Sequence, residues 1–480
     1  MTVGAATGPG VAGGAGGAVS SPAPPAGSPG PTGARGPRLW PMATGTFAIG
    51  FGSYVMAGLV PSVSAELDVS VSQVGTLVSV YGFTYAVSTP LLTLVVGRVP
   101  RRLLMAVALG LFALATGATA FATTYDQVAA LRGLSAVAAG GFTPTATVLA
   151  ARLAPPGRRG RAVATVFGGL TTATVLGAPA GNLLGPALGY RGVYALVGGL
   201  ALVALVSVLA LVRVPCAVAA APSAAGSPSA SPAPAAAAEF GPSSRVRTSE
   251  GPNSAGRTEL AVAAPVVVPD ESPRARSTGT PATTAAPAGA GPALPGLVAV
   301  VLLVSMLETA SALMVQTYSS PLLTDLGGLT GALLSAVLLA YGVAGVAGNV
   351  VGGRLADRFG AARSIVLALT TSVVALLLLT PATATAWTAL AVFALWGFAA
   401  WAMNSPLQNV LLTLAGRHGQ LVVALNSSII SLGTGLGALV GGWVVAGPGY
   451  AVLGAAAAAV MVVAVVLVAV LSRRPAVAAV

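Results

Sequence analysis

One carboxylate in this sequence stands where charge is expensive. In LVSMLETASALM, residues 303 to 314, Glu308 sits inside a long apolar run. Eleven acidic residues serve 480 positions, and the others fall in connecting or low-complexity segments. An ionised side chain at the centre of a hydrocarbon layer costs roughly 2.5–3.5 kcal/mol on insertion scales, so an acid kept there is a candidate functional group. Three roles suit it. It exchanges a proton, it anchors a cationic substrate, or it holds a hydrogen bond inside a helix bundle. Arg132, in LRGLSAVAAGG, is the one basic side chain inside an apolar run. Its long guanidinium either works in the interior or reaches back to the interface.

A second group of residues could line a cavity. Tyr54, Tyr85, Gln316, Tyr318, Trp401, Asn404 and Asn426 are aromatics and amides within apolar runs. Such linings suit neutral or lipophilic ligands. Each also reads as an interface aromatic or a helix–helix hydrogen bond. Other chemistries lack their residues. Cys216 is the only cysteine, which excludes an internal disulfide framework. The single His418 lies in a short polar loop, and the chain has no Lys for a phosphate-binding loop. No Cys, His and acid cluster has metal-ligand spacing, so neither a cofactor nor an enzyme is expected.

The elements that position these residues follow from composition. The chain is 55% hydrophobic and 7% charged, against roughly 25% charged in soluble domains. A lipid bilayer is the solvent this composition fits. Stretches near the ~20 residues needed to cross it run about 41–62, 74–96, 103–122, 127–150, 163–186 and 192–212, then 297–319, 330–352, 364–381, 386–412, 421–445 and 449–471. Backbone groups in lipid must be satisfied internally, so these twelve spans are helices. Glu308 then lies about 16 Å from the start of its span, near mid-membrane.

Residues 1–38 and 213–296 are rich in Gly, Ala, Pro and Ser. They carry too little apolar surface to offset ordering entropy and are expected to be a disordered tail and a disordered linker. The tail lacks the basic start and apolar core of a signal peptide. The chain therefore divides into an N-terminal six-helix bundle, 39–212, a C-terminal six-helix bundle, 297–472, and a short tail, 473–480. Every Arg except Arg132 and Arg191 falls in the tails, the linker or alternate loops. The positive-inside rule then puts both termini and the linker in the cytoplasm. The net charge of +12 is spread among apolar spans, which argues against a nucleic-acid partner.

The halves repeat. At one constant offset Gly75, Leu77, Ser79, Tyr85, Gly97 and Arg98 meet Gly331, Leu333, Ser335, Tyr341, Gly353 and Arg354. At a nearly equal offset Thr174, Leu176, Gly177, Ala178 and Gly181 meet Thr434, Leu436, Gly437, Ala438 and Gly441. Two parallel six-span repeats are a transporter architecture, with a site near mid-membrane between them.

GGRLADRFG, residues 352 to 360, resembles the loop signature G-x-L-A-D-R-x-G-R/K of the major facilitator superfamily; GRVPRR, residues 97 to 102, is its degenerate first-half copy. FGSYVMAGLVPSVSAELDVSVSQVGTLVSVYGFTYA and RLAPPGRRGRAVATVFGGLTTATVLGAPAGNLLG resemble the twelve-span drug:proton antiporter branch, which includes arabinose and chloramphenicol efflux permeases. The resemblance implies an all-α integral membrane fold of two pseudo-symmetric six-helix bundles. It implies a monomeric, proton-coupled exporter of small lipophilic or sugar-like compounds in the bacterial inner membrane. Gly97, Arg98, Gly353, Arg354, Asp357 and Arg358 would then form the inner gate, with Asp357 latching onto the inner end of the fifth span. GAPAG resembles the family's antiporter signature, so Gly177, Pro179 and Gly181 would bend that span where the halves meet. Arg132 would take part in proton coupling. The family's acid in the first span is replaced by Ser53 in Gly50-Phe51-Gly52-Ser53-Tyr54. Glu308, in the repeat-related seventh span, is the substitute we expect. An importer or uniporter without proton coupling, and a transport-dead sensor or scaffold, remain open readings.

Overall fold

A computed structural model describes residues 39–95, 99–154, 158–212 and 295–471. The tails, the linker to residue 294, and Gly97 and Arg98 lie outside the described residues. The first half holds α1 (Trp40–Leu67), α2 (Val71–Val95), α3 (Arg101–Thr119) and α4 (Tyr125–Leu153). The next helical stretch, Arg159–Leu211, is two legs joined at Gly189, whose φ of 64° and ψ of 173° are not helical. That backbone suits a residue without Cβ. The legs are α5 (159–188) and α6 (190–211). The second half holds α7 (Pro295–Gln316), α8 (Gly331–Phe359), α9 (Ala361–Ala382), α10 (Ala386–Ala402), α11 (Gly419–Ala446) and α12 (Leu453–Leu471).

Two spans differ from the continuous helices expected. After α7 the chain turns at Thr317 and Tyr318 and resumes as Ser319–Gly327. After α10 it breaks at Met403 and resumes as Asn404–Ala415. The second break has a local cause. Pro406 has no N–H to give to the carbonyl four residues back, and its ring crowds that carbonyl.

Ten helical segments among the described residues are long and apolar enough to cross a membrane. One of them, Gly160–Leu211, contains both α5 and α6. With α2, 25 residues free of charge, the described chain makes twelve spans. The chain is an all-α membrane protein.

Each half has its own apolar core. Met42, Met56, Phe112, Phe142, Tyr190 and Tyr194 lie at the centre of the first, and Tyr318, Leu322, Phe393, Trp396 and Met461 at that of the second. Ala438 of α11 enters the first core and Ala178 of α5 the second. These two alanines are the pair matched by the internal repeat. Large apolar side chains face outward on α3, α6, α9 and α12, among them Val107, Leu114, Val203, Val206, Leu367, Leu377, Val463 and Val466. In water such a belt would be a liability; against lipid tails it carries no penalty.

The packing repeats as the sequence does. The pairs α1–α5, α2–α4 and α3–α6 in the first half answer to α7–α11, α8–α10 and α9–α12 in the second. Two crossed seams, α2–α11 and α5–α8, join the halves. Threonines cap α4 and α10 at equivalent places: Thr124 accepts from Gln127 N and Thr385 from Thr388 N.

Candidate functional site

The site is built on these two seams. Asp68, Asp126 and Asp325 mark one end of the bundle, and the Arg-rich loops mark the other. Near the acidic end the halves are hydrogen-bonded. Asn182 Nδ2 on α5 donates to Gly331 O (3.0 Å) and to Ser335 Oγ (2.7 Å), and Ser335 Oγ donates to Pro179 O (3.3 Å). Across the other seam Ser72 Oγ donates to Gly442 O (2.9 Å). Gly82 on α2 lies against the backbone of Ser431 and Gly435, and Gly342 on α8 against Val175. Beyond these points the helices part. Val87 and Leu91 on α2 are 61% and 53% exposed. Ser427 on α11, Thr172 and Gly168 on α5, and Val346 on α8 are exposed as well. The halves are closed at the acidic end and splayed at the Arg-rich end.

Glu308 is 8% exposed and lies in the middle of α7. Thr309 Oγ1 lies 3.3 Å from its Oε2 and also has Ser305 O at 2.8 Å for its single proton. No ion pair engages it among the described residues. The Tyr341 hydroxyl of α8 is within electrostatic range of both Glu308 and Tyr54, with Trp401 beside it. Tyr54 and Tyr85 in turn stand near Tyr81 and near each other, the Tyr81 and Tyr85 rings 6.3 Å apart. A run of phenols therefore leads from Glu308 in one half into the other.

Arg132 does not reach back to the interface. It is 2% exposed, and its Nη1 donates to Gly52 O (2.9 Å) and to Tyr194 Oη (3.3 Å). Its guanidinium carbon lies 4.7 Å from the centre of the Tyr81 ring, a cation–π distance. α4 carries the side chain inward because its neighbours Val128, Ser135, Ala136 and Ala139 are buried on the same face.

The other expected residues separate. Tyr54, Tyr85, Trp401 and Asn404 are half-buried, and the first three belong to the phenol run or stand beside it. Asn426 is buried with its Oδ1 unpartnered among the described residues. Gln316 is buried at the end of α7. Tyr318 is fully buried, donates to Ala438 O (2.7 Å) and seats against Gly75 and Gly441. It fills the acidic-end closure and does not face a cavity. Gly177 and Gly181 press on Tyr54 and Val55 of α1, within their own half. The contact with the other half falls on Val175, the Pro179 carbonyl and Asn182. Gly353 has Ser405 as its nearest outside neighbour. Arg354, Asp357 and Arg358 are exposed at the splayed end, and no ion pair joins Asp357 to Arg158 or Arg161.

Sequence reasoning missed three residues. Asn182 follows GAPAG directly, and an amide inside a span was its available signal. Tyr341 was visible as the repeat partner of Tyr85. Glu66 was read as a loop acid. It belongs to the last turn of α1, and its Oε1 accepts from Tyr190 N (2.8 Å) at the start of α6.

The sequence profile of the Major Facilitator Superfamily matches residues 42–250 and 297–479. The chain belongs to the Major Facilitator Superfamily. This superfamily transporter is 27% identical over 436 residues to an inner membrane transport protein, YdhP, of Escherichia coli (strain K12), covering 90% of this chain and 95% of that one. It is 36% identical over 156 residues to a chloramphenicol resistance protein of Streptomyces lividans, covering 32% of this chain and 40% of that one. Among solved structures, a bacterial homologue of the human lysosomal transporter Spinster, in an inward-facing and unoccupied conformation, aligns with a TM-score of 0.57 at 14% identity. That alignment covers 92% of this chain and 95% of the other, and it shows the shared fold. The protein is a multi-pass membrane transporter of this superfamily, and not an enzyme.

Proposed function

We propose that this transporter is a proton-coupled exporter of the bacterial inner membrane. It moves small lipophilic or sugar-like compounds outward by alternating access, as a monomer, with both termini cytoplasmic. On that orientation the Arg-rich end faces the cytoplasm, so the splayed halves present an inward-open site. The observation that carries the reading is Glu308, a buried carboxyl at mid-span with no cationic partner among the described residues. In the outward-open state Glu308 takes a proton from the far side. After the halves rock, substrate binding beside the phenols favours release of that proton to the cytoplasm. The substrate then leaves when the halves rock back. The names of the Streptomyces and Escherichia relatives, a chloramphenicol resistance protein and an inner membrane transport protein, support export of a drug-like compound and an inner-membrane location.

The test uses purified protein in proteoliposomes and a panel of labelled lipophilic and sugar-like compounds. Substrate-driven proton movement is expected in the wild type and lost in Glu308→Gln, while substrate exchange without a gradient persists. Unchanged coupling in Glu308→Gln overturns the assignment. One observation favours a second reading, transport without protons: α1 offers Gly52 and Ser53 at mid-span and no acid there. That reading predicts substrate flux with no proton movement in the wild type. A transport-dead sensor would move no compound of the panel.

A further inference from the structure

Arg132 is a buried cation whose best hydrogen-bonding edge is unused. A guanidinium carries five N–H donors in a rigid fork. Nη1 is occupied by Gly52 O and Tyr194 Oη. Tyr194 in turn points its hydroxyl at Met56 Sδ, 3.9 Å away, so it serves Arg132 as an acceptor. Nε and Nη2 are buried and have no hydrogen-bond partner among the described residues. These two nitrogens share one edge of the guanidinium, the edge that grips a carboxylate with two parallel bonds.

The surroundings supply polarity without negative charge. The Tyr81 hydroxyl, on the ring the guanidinium covers, is also buried, and among the described residues the Ser53 hydroxyl is the one polar group at hand for it. Ser53, beside Tyr81, spends its proton on Ile49 O (2.9 Å). The buried carboxyl of Glu308 belongs to the other half, beside Thr309. A buried charge is normally paired. Here the free edge of a guanidinium and a phenol stacked beneath it share one buried region with no carboxylate among the described residues. Its border is Ser53 and Tyr54, half-buried residues of α1, and Tyr54 is within electrostatic range of Tyr341 across the seam.

We propose that the Nε/Nη2 edge of Arg132, with the Tyr81 hydroxyl, is a binding site for a small carboxylate. The two parallel N–H bonds select a planar, two-oxygen anion over a spherical one, and the phenol donates to the oxygen nearer to it. The carboxylate is either a free anion that neutralises Arg132 or the acid group of a transported compound. The site rests on the first-half geometry alone and holds whatever the direction or proton coupling of transport.

The experiment is thermal unfolding of the purified full-length protein in nanodiscs at fixed ionic strength, with gluconate as the bulky reference anion. Formate should raise the midpoint saturably, and chloride should do so less. Tyr81→Phe should weaken the formate response about tenfold, as for loss of one hydrogen bond to a charged group. Arg132→Lys keeps the charge without the fork, so formate should lose its advantage over chloride. Ser53→Asp places a carboxylate within the chain at the border of the site and should abolish the formate response while the protein stays folded. Arg132→Gln is informative only if it folds, and the other three variants do not depend on it. Benzoate tested for binding and for uptake into proteoliposomes separates the two sources: binding with transport marks a substrate group, and binding without transport marks a counter-ion. Formate and chloride acting like gluconate on the wild type overturns the proposal. So does a formate response that survives unchanged in Arg132→Lys, Tyr81→Phe and Ser53→Asp.

Discussion

Arg132 donates to the backbone carbonyl of Gly52 at 2.9 Å, and Gly52 is the first-half counterpart of Glu308. The packing fixes that equivalence. Gly177 presses on Tyr54 as Gly437 presses on Ala310, and Ala173 meets Gly50 as Gly433 meets Met306. The same shift carries position 52 onto position 308. The acid of the second half therefore occupies the place where the cation of the first half grips backbone. The two buried charge-bearing groups are kept apart, one in each half, and each half meets the phenol run from its own side.

Tyr341 is the phenol nearest that acid in the run, standing in the second half with Tyr54 across the seam. In Tyr341→Phe, substrate-driven proton movement should fall, because the phenol dipole within electrostatic range of Glu308 is removed. Substrate binding to the solubilised protein should persist. Parallel measurements of proton and substrate flux decide it, and equal losses in both would assign Tyr341 to substrate contact instead.

Asn182 spans the seam with two bonds. Asn182→Ala removes both, at a net cost of about 1 kcal/mol for each hydrogen bond. The closed acidic end should open more often. Labelling reports this directly. In a Cys216→Ser background with Ser53→Cys, a membrane-impermeant maleimide applied from the acidic side should react several-fold faster once Asn182→Ala is added. An unchanged rate would mean that the closure rests on the apolar seat of Tyr318.

The glycines on α11 and α5 differ sharply in what they permit. At Gly437 a Cβ would run into the Ala310 carbonyl of α7, whereas Gly168 has open space around it. Gly437→Leu should cost at least ~1–3 kcal/mol from overpacking, seen as a lower unfolding midpoint and poor yield. Gly168→Ala should leave both unchanged.

Glu66 ties the last turn of α1 to the start of α6 through the Tyr190 N–H. Glu66→Ala should lower stability by about 1 kcal/mol with transport retained, and Glu66→Gln, which keeps an acceptor oxygen, should lose less. Unfolding curves paired with a transport assay separate this role from one in gating.

Most of the fold was legible because hydropathy alone marks a span in lipid. Glu308 was legible for the same reason, since a lone acid contrasts with its surroundings. The break at Met403 was not read, although Pro406 signals it, because the apolar run continues through it. Tyr318 read as cavity lining because sequence gives depth without facing; Gly75 and Gly441 seat it in the seam instead. For Gly177 and Gly181 small size signals close approach, but composition does not say which neighbour approaches, and that neighbour is α1. Asn182 was passed over because one amide in a span has many local explanations. Its pairing with Ser335 depends on how two halves distant in sequence come together.

The splay at the Arg-rich end also bears on how a solute arrives. Both seams part there, one flanked by Val87 and Leu91 and the other by Thr172 and Val346. In the proposed orientation, exposed apolar side chains along these edges would admit a solute sideways from the neighbouring leaflet as well as from the aqueous phase. For a greasy compound the concentration that governs loading is its concentration among the acyl chains, so partitioning into the membrane sets the apparent affinity before any side chain is touched.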